Sequence, residues 1–528
     1  MLFLASCMSI KNDNRQRLSY ITPDKLNEDV DFTHKKLKEM HPNLYWYISK
    51  KDLDFKFDSL KKTLTRPLTP VQFYFKLQPI ISQIREGHLT LRIPNKKYSK
   101  KYLANLKNTK GLFARFDYYL DGDKMYILRN KDSVENIKPG TEIISINDIS
   151  VAEDIKKYSQ LISSDGYNTT FKPYFLKDVF FNFYTVEHGL LDSAKIETLY
   201  KNERKTYVLK RKSKNKKELK KDQLLKKRTT EKKINDYVIS TDTYNRKFKF
   251  LDADRTIAYI KVQSFSKTFS NQFYKDSFKK IHNSKANYLV IDIRDNYGGS
   301  LQEINNLYSY IAKEPFTLIK PSQITSTYSP LKTNYFRKSS ASEYAIKTLA
   351  YPGYFFTHLL NSYKGKDGKF YYKIKAAKPT LPKSNAFSGK VFVLINGGSF
   401  SASSIIASKL KNDKRVTLVG EETGGANDGT VAGFYSYQVL PNTKIDLPIG
   451  LVLVQPNINF SNTKKGVLPD VEIKQTLQNI LDNKDIPLEW IQSEITKDKQ
   501  TNHPKKKIPI TNVTGTHSKI ISVQLCVL

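Results

Sequence analysis

Cysteine is nearly absent. The 528 residues hold two, Cys7 and Cys526, at opposite ends of the chain. That excludes a disulfide framework and a cysteine-rich metal site, so the core has to be stabilised by packing. Long apolar runs are missing as well. Hydrophobic residues make up 39% of the chain, but nowhere do they reach the ~20 consecutive positions a membrane-spanning helix needs. Acidic residues are few, 51 against 88 Lys and Arg, which leaves a net charge of +37. Such a balance would suit nucleic acid or an anionic membrane. The lysines, however, are scattered over every segment, and no zinc-finger spacing, RNA-binding aromatic signature or P-loop accompanies them. The charge therefore reads as solvated surface, and nucleic acid is not an expected partner.

What is present suffices for two or three domains, because a chain of this length exceeds one ordinary core. Apolar residues at helical spacing over residues 26–40 end at His41-Pro42-Asn43, and a second apolar helix over 70–84 should stop at Gly87. From about residue 111 to 209 the pattern changes to short alternating strands, among them 124–128, 142–146 and 206–209. A lysine-dominated stretch over 211–233 reads as solvated linker. Beyond it, 257–262, 288–293 and 391–395 are short β-branched runs followed by glycine-rich or helical sequence, the pattern of an α/β fold. The expected units are 1–20 as a truncated lipoprotein signal and spacer, 21–110 helical, 111–210 β-rich, 211–240 basic linker, 241–490 α/β, and 491–528 a polar tail.

Two local strings resemble known features. Leu4-Ala5-Ser6-Cys7 resembles the lipobox of bacterial lipoproteins, which implies a lipid on Cys7, a membrane-surface anchor and residence in the cell envelope, periplasm or outer membrane, with 9–17 as a polar spacer. The segment from Ile137 to Asn147, with Pro139-Gly140 ahead of alternating isoleucines, resembles the turn and strand of a PDZ domain.

The chemistry centres on Ser401. Asn396-Gly397-Gly398-Ser399-Phe400-Ser401-Ala402 follows a buried strand and opens a helical pattern reaching Leu410. A serine on such a turn projects its hydroxyl above the sheet edge, and the free N–H groups of a helix start favour the negative charge of a tetrahedral oxyanion. An ordinary serine-rich helix cap would look the same. Three further strings decide between these readings. Ile291-Asp292-Ile293-Arg294-Asp295-Asn296-Tyr297-Gly298-Gly299, then Gly420-Glu421-Glu422-Thr423-Gly424-Gly425, then Gly466-Val467-Leu468-Pro469-Asp470-Val471 surround the serine segment. In that order the four strings resemble the C-terminal-processing, or tail-specific, serine peptidases, over roughly residues 30 to 475. The resemblance implies a ClpP/crotonase-like α/β catalytic domain with a PDZ-like module and a helical N-terminal region. It places the nucleophile at Ser401 and the oxyanion donors at the N–H of Ala402 and one of Gly298 or Gly299, with no metal or cofactor.

At the position of the family's frequent catalytic lysine stands Ala426, and no lysine follows until Lys444. The other branch of the family, which includes tricorn-like peptidases, uses a histidine, and Arg85-Glu86-Gly87-His88-Leu89-Thr90-Leu91 resembles that segment. His88 is thus the expected general base, and it and Ser401 should lie within hydrogen-bond reach. The resemblance also implies a carboxylate on the strand before the closing motif, yet residues 456–463 read Pro-Asn-Ile-Asn-Phe-Ser-Asn-Thr. An asparagine or serine there would hold the imidazole through a neutral hydrogen bond. The expected function is hydrolysis of protein or peptide tails through an acyl-enzyme. The alternatives are a catalytically impaired peptide-binding lipoprotein on the same scaffold and a basic surface-adhesion protein.

Overall fold

A computed structural model describes residues 10–92, 94, 96–132, 134–230, 236–238, 243–266, 270–337, 339–459 and 464–502. Cys7, Cys526 and residues 460–463 lie outside the described residues, and with them the expected lipid site. Among the described residues no helix is long and apolar enough to cross a membrane.

The chain begins with helices. α1 (Pro23–Met40) starts with proline at its first position, α2 (Lys50–Lys62) is capped by the Ser49 side chain, and at α3 (Pro70–Ser82) Thr69 and Gln72 form a reciprocal capping box. Leu26, Val30 and Leu37 of α1 and Phe73, Leu77 and Ile81 of α3 are fully buried, the i, i+3, i+4 stripe the sequence pattern requires. α3 ends earlier than expected, at Ser82. Arg85 then adopts φ 62°, a left-handed turn that aims the Glu86-Gly87-His88 segment away from the helix.

The β-rich module pairs β1 (Phe116–Asp121), β2 (Lys124–Asn130), β3 (Glu142–Ile146), β4 and β5 in that order, all antiparallel. Between β3 and β4 the chain forms α4 (Val151–Ser159) and α5 (Phe171–His188). β4 (Ser193–Tyr200) and β5 (Glu203–Lys210) complete the sheet. The expected linker contains a helix, Lys216–Thr230.

The last unit contains a six-stranded sheet in which β6 (Arg246–Phe250) lies antiparallel beside β7 (Ile257–Val262) and the other strands run parallel. α6 (Ser270–Ser284) leads into β8 (Tyr288–Asp292), and α7 (Leu301–Ser309) follows. Next come the long helix α8 (Ala341–Asn361), β9 (Lys390–Ile395), α9 (Ala402–Lys411) and β10 (Val416–Gly420). β11 (Thr430–Val439) and β12 (Asp446–Val454) belong to a second, antiparallel sheet, while β13 (Val471–Glu472) closes the first in the order β6-β7-β8-β9-β10-β13. β8 and β9 are buried on both faces, as parallel strands between two layers should be.

One outer layer corrects the sequence reading. Residues from 491 were expected to begin a polar tail, but α10 (Ile486–Asn502) runs through them. Its Ile491 and Ile495, four apart, are 0% and 1% exposed against Tyr259, Val290, Phe392 and Leu394 of the sheet. Two apolar residues per two turns were too few to stand out among polar neighbours.

Candidate active site

Ser401 sits between β9 and α9 in a backbone conformation L-residues rarely adopt, φ 58° and ψ −118°. Strain of this kind persists only where surrounding contacts hold it. They do so here. Phe400 N–H donates to Asn296 O at 3.0 Å, and the Ser403 hydroxyl donates to the same carbonyl at 2.7 Å. Ser399 donates to Ile293 O at 2.8 Å, and Ser404 to Ser399 O at 2.9 Å. Three neighbouring serines therefore spend their hydroxyls on holding the turn, and Ser401 spends its own elsewhere.

The turn after β8 presses against it. A Cβ on Gly298, whose φ is 99°, would stand 2.8 Å from Ser401 Cβ and 2.9 Å from Ala402 N, so only glycine fits. Gly298 N–H is already committed to Asn296 Oδ1 at 2.9 Å. The N–H groups of Gly299 and Ala402 find no acceptor among the described residues.

The hydroxyl of Ser401 meets a ring brought from 313 positions earlier in the chain. His88 Nε2 is 3.1 Å from Ser401 Oγ, and its Nδ1 is 2.9 Å from Thr430 Oγ1, at the start of β11. Thr430 in turn donates to Glu86 Oε1 at 2.6 Å. With Nδ1–H donating to Thr430, Nε2 is left as an acceptor facing the serine. The imidazole stacks on Phe400 at a centroid distance of 4.9 Å, and Phe400 stacks on Phe171 of α5 at 4.4 Å. Gly87 makes room for this, since a Cβ there would lie 2.6 Å from the Phe400 ring.

Two buried carboxyl groups complete the site. Glu86 and Asp165 are 2% and 1% exposed, Gly87 N–H donates to Asp165 Oδ1 at 2.6 Å, and Glu86 Oε1 lies 3.9 Å from His88 Nδ1. Burial pushes both carboxyls up, Glu86 to about 7, and the neighbouring Glu86 charge raises Asp165 further. Ligand atoms of Glu86, His88 and Asp165 all lie within 4.8 Å of one another, a spacing at which a shared proton or a cation offsets two negative charges. His88 itself is shifted down, chiefly by burial, with Asp165 pulling the other way.

The structure thus brings Ser401, His88, Ala402, Gly298 and Gly299 together. It corrects one expectation: the imidazole is held by Thr430 rather than by Asn457 or Asn459, while Ser461 and Asn462, the other candidates in 456–463, lie outside the described residues. Asn457 N–H donates to Leu318 O, and the ring is held by Thr430 with Glu86 and Asp165 behind it. Sequence reasoning missed all three. Glu86 lay inside the segment that pointed to His88, two residues before it, whereas Thr430 and Asp165 carried no local signal. Ala426 is buried and bridges to Gly466, and Lys444 directs its amine to Pro441 O. Neither supplies a base.

Residues 256–473 match the family described as Peptidase family S41, a segment that includes Ser401 and Thr430 and excludes His88. This segment is a serine-type peptidase domain. The fold is similar to that of mature CPAF, with a TM-score of 0.57 and 13% identity over 92% of this chain and 99% of that one. It is also similar to mature CPAF complexed with lactacystin, with a TM-score of 0.58 and 14% identity over 90% of this chain and 98% of that one. At such identities the likeness is one of fold. No curated protein matches the sequence.

Proposed function

We propose that the protein is a serine endopeptidase that hydrolyses protein or peptide tails through an acyl-enzyme on Ser401, with His88 as general base. The observation that carries this reading is the 3.1 Å contact between His88 Nε2 and Ser401 Oγ, made across 313 positions and onto a strained serine. In the reaction Ser401 Oγ attacks the scissile carbonyl while Nε2 takes its proton. The N–H groups of Ala402 and Gly299 receive the oxyanion, since that of Gly298 is spent on Asn296. Thr430 accepts the Nδ1–H bond and passes a hydrogen bond to Glu86, so the carboxyl pair stabilises the imidazolium through a hydroxyl. His88 then returns its proton to the leaving amine, and a water activated by the same ring releases the acyl group.

A cleft of about 310 Å³ between the β-rich module and the C-terminal ends of the parallel strands suits an extended substrate tail. Tyr118 and Tyr119 of β1 face Arg294, Asn396 and Glu421 across it. The module, read as PDZ-like, captures the tail by strand addition and delivers it to the serine. A lipid on Cys7 tethers the enzyme to the envelope. Mass spectrometry of the native N-terminus tests the tether separately from the chemistry. The chemistry is tested by incubating the purified protein with a library of unstructured peptides and sequencing the products. Cleavage in the wild type and none in Ser401→Ala is expected; equal products from both would overturn the assignment.

A further inference from the structure

α8 is far too apolar for its surroundings. Of its 21 residues only His358 is buried. The helix is attached on one side, where Tyr344, Tyr351 and Tyr354 contact the rings of Tyr335 and Phe336 and His358 Nδ1 bonds the Tyr372 hydroxyl. On the other side Ile346, Leu349, Phe356 and Leu360 are 66%, 86%, 57% and 72% exposed. Together with Gly353 they fall at alternating steps of three and four, the spacing with which one helix presents a seam to another.

The seam is also symmetrical. Ile346 and Leu360 lie seven positions either side of Gly353, and Leu349 and Phe356 lie four before and three after it. An antiparallel copy of the same helix, turned about a two-fold axis at Gly353, meets it with every apolar residue paired: Ile346 against the partner's Leu360, Leu349 against the partner's Phe356, and glycine against glycine. Gly353 has no role inside the single chain, where a Cβ would meet nothing within 4 Å. It follows Pro352, and both residues weaken a helix interior. A second backbone approaching closely gives the missing side chain a use.

The symmetry of the seam selects a second copy as occupant, and charge leaves this stripe as the place where two copies can meet. At +37 two copies of this chain repel over most of their surface. The charged residues of α8, Glu343 and Lys347, lie off the seam, so this stripe opposes contact least. We propose that α8 is the contact of a two-fold homodimer, formed by antiparallel packing of the helix on its counterpart about Gly353.

Light scattering or sedimentation of the full chain over a concentration series tests this. The wild type is expected to be dimeric, with Leu349→Asp and Phe356→Asp shifting it to monomer and leaving peptide hydrolysis unchanged. Gly353→Leu is the sharper variant. The single chain accommodates it, but at the axis it wedges the helices apart, weakening association by roughly tenfold or more. Added salt should strengthen the dimer by screening self-repulsion. In a Cys7→Ser, Cys526→Ser background, Gly353→Cys should cross-link to itself under mild oxidation. A wild type that stays monomeric throughout overturns the proposal. So does Gly353→Leu associating as tightly as wild type, or binding of the seam to anionic phospholipid vesicles in place of self-association.

Discussion

The two halves of the active site are built on different principles. Within residues 256–473 the proposed nucleophile Ser401, its strained turn and the N–H groups beside it arise from contacts between two adjacent strand ends, β8 and β9, and the helix that follows. The groups proposed to handle the proton, His88, Glu86 and Asp165, all lie before that segment and arrive by long-range packing, 313 positions from Ser401 for His88 and 344 from Thr430 for Glu86. Their meeting point is Thr430, the one member of the chain of hydrogen bonds behind the ring that the α/β unit supplies. On the proposed reading the segment 256–473 supplies the serine and its turn, and the regions ahead of it supply the histidine and the rings of Phe171 and His88 that pack on Phe400.

Substitutions that break one half at a time separate the two. Removing the hydroxyl with Ser401→Ala should lower turnover by about 10⁴ to 10⁶-fold, with an unchanged circular dichroism spectrum and melting curve, because no packed group is lost. Thr430→Val cuts the link between the halves. Turnover of the purified variant should fall roughly 10- to 100-fold with KM little changed, since the imidazole loses its orienting acceptor rather than its contact with the serine.

Glu86→Gln acts in opposite directions on activity and stability. A carboxyl raised to about 7 in the fold contributes stability that is complete below its ordinary value near 4.5 and is lost as pH rises through 7. The variant, with no proton to lose, should therefore match the wild type at pH 4 and exceed it by about 1–3 kcal/mol at pH 8 in denaturant titrations. Its turnover should be lower at both. Smallest is Ser399→Ala. A buried hydroxyl bonded to Ile293 O makes this serine part of the turn, so the change should cost about 1–2 kcal/mol of stability rather than being silent.

The same division explains what could be read from the chain. The strands β7, β8 and β9, the turn glycines and the strand-to-helix turn at Ser401 were legible because each is dictated by residues within a few positions, whereas the choice of Ser401 as nucleophile came from resemblance. His88 was legible only through resemblance, since a histidine after a glycine has no local mark of catalysis. Thr430 and Asp165 were not legible, because a threonine opening a strand and an aspartate in a loop acquire their roles only when α3, the α4–α5 loop and β11 converge. α10 was hidden for a different reason: this helix covers the sheet face with two fully buried isoleucines, and polar residues dominate the rest of its surface.

Activation of Ser401 by His88 is tested most directly by the rate at which a fluorophosphonate labels the protein, followed by mass spectrometry of the labelled peptide across pH. Labelling in the wild type should fall on Ser401. Its rate should decline only below the ordinary imidazole value of 6.5, because burial shifts His88 down and the ring stays neutral into mild acid. His88→Ala should label at least ~10³-fold more slowly with its fold intact. Labelling at another serine, or an undiminished rate at Ser401 without the imidazole, would contradict the account.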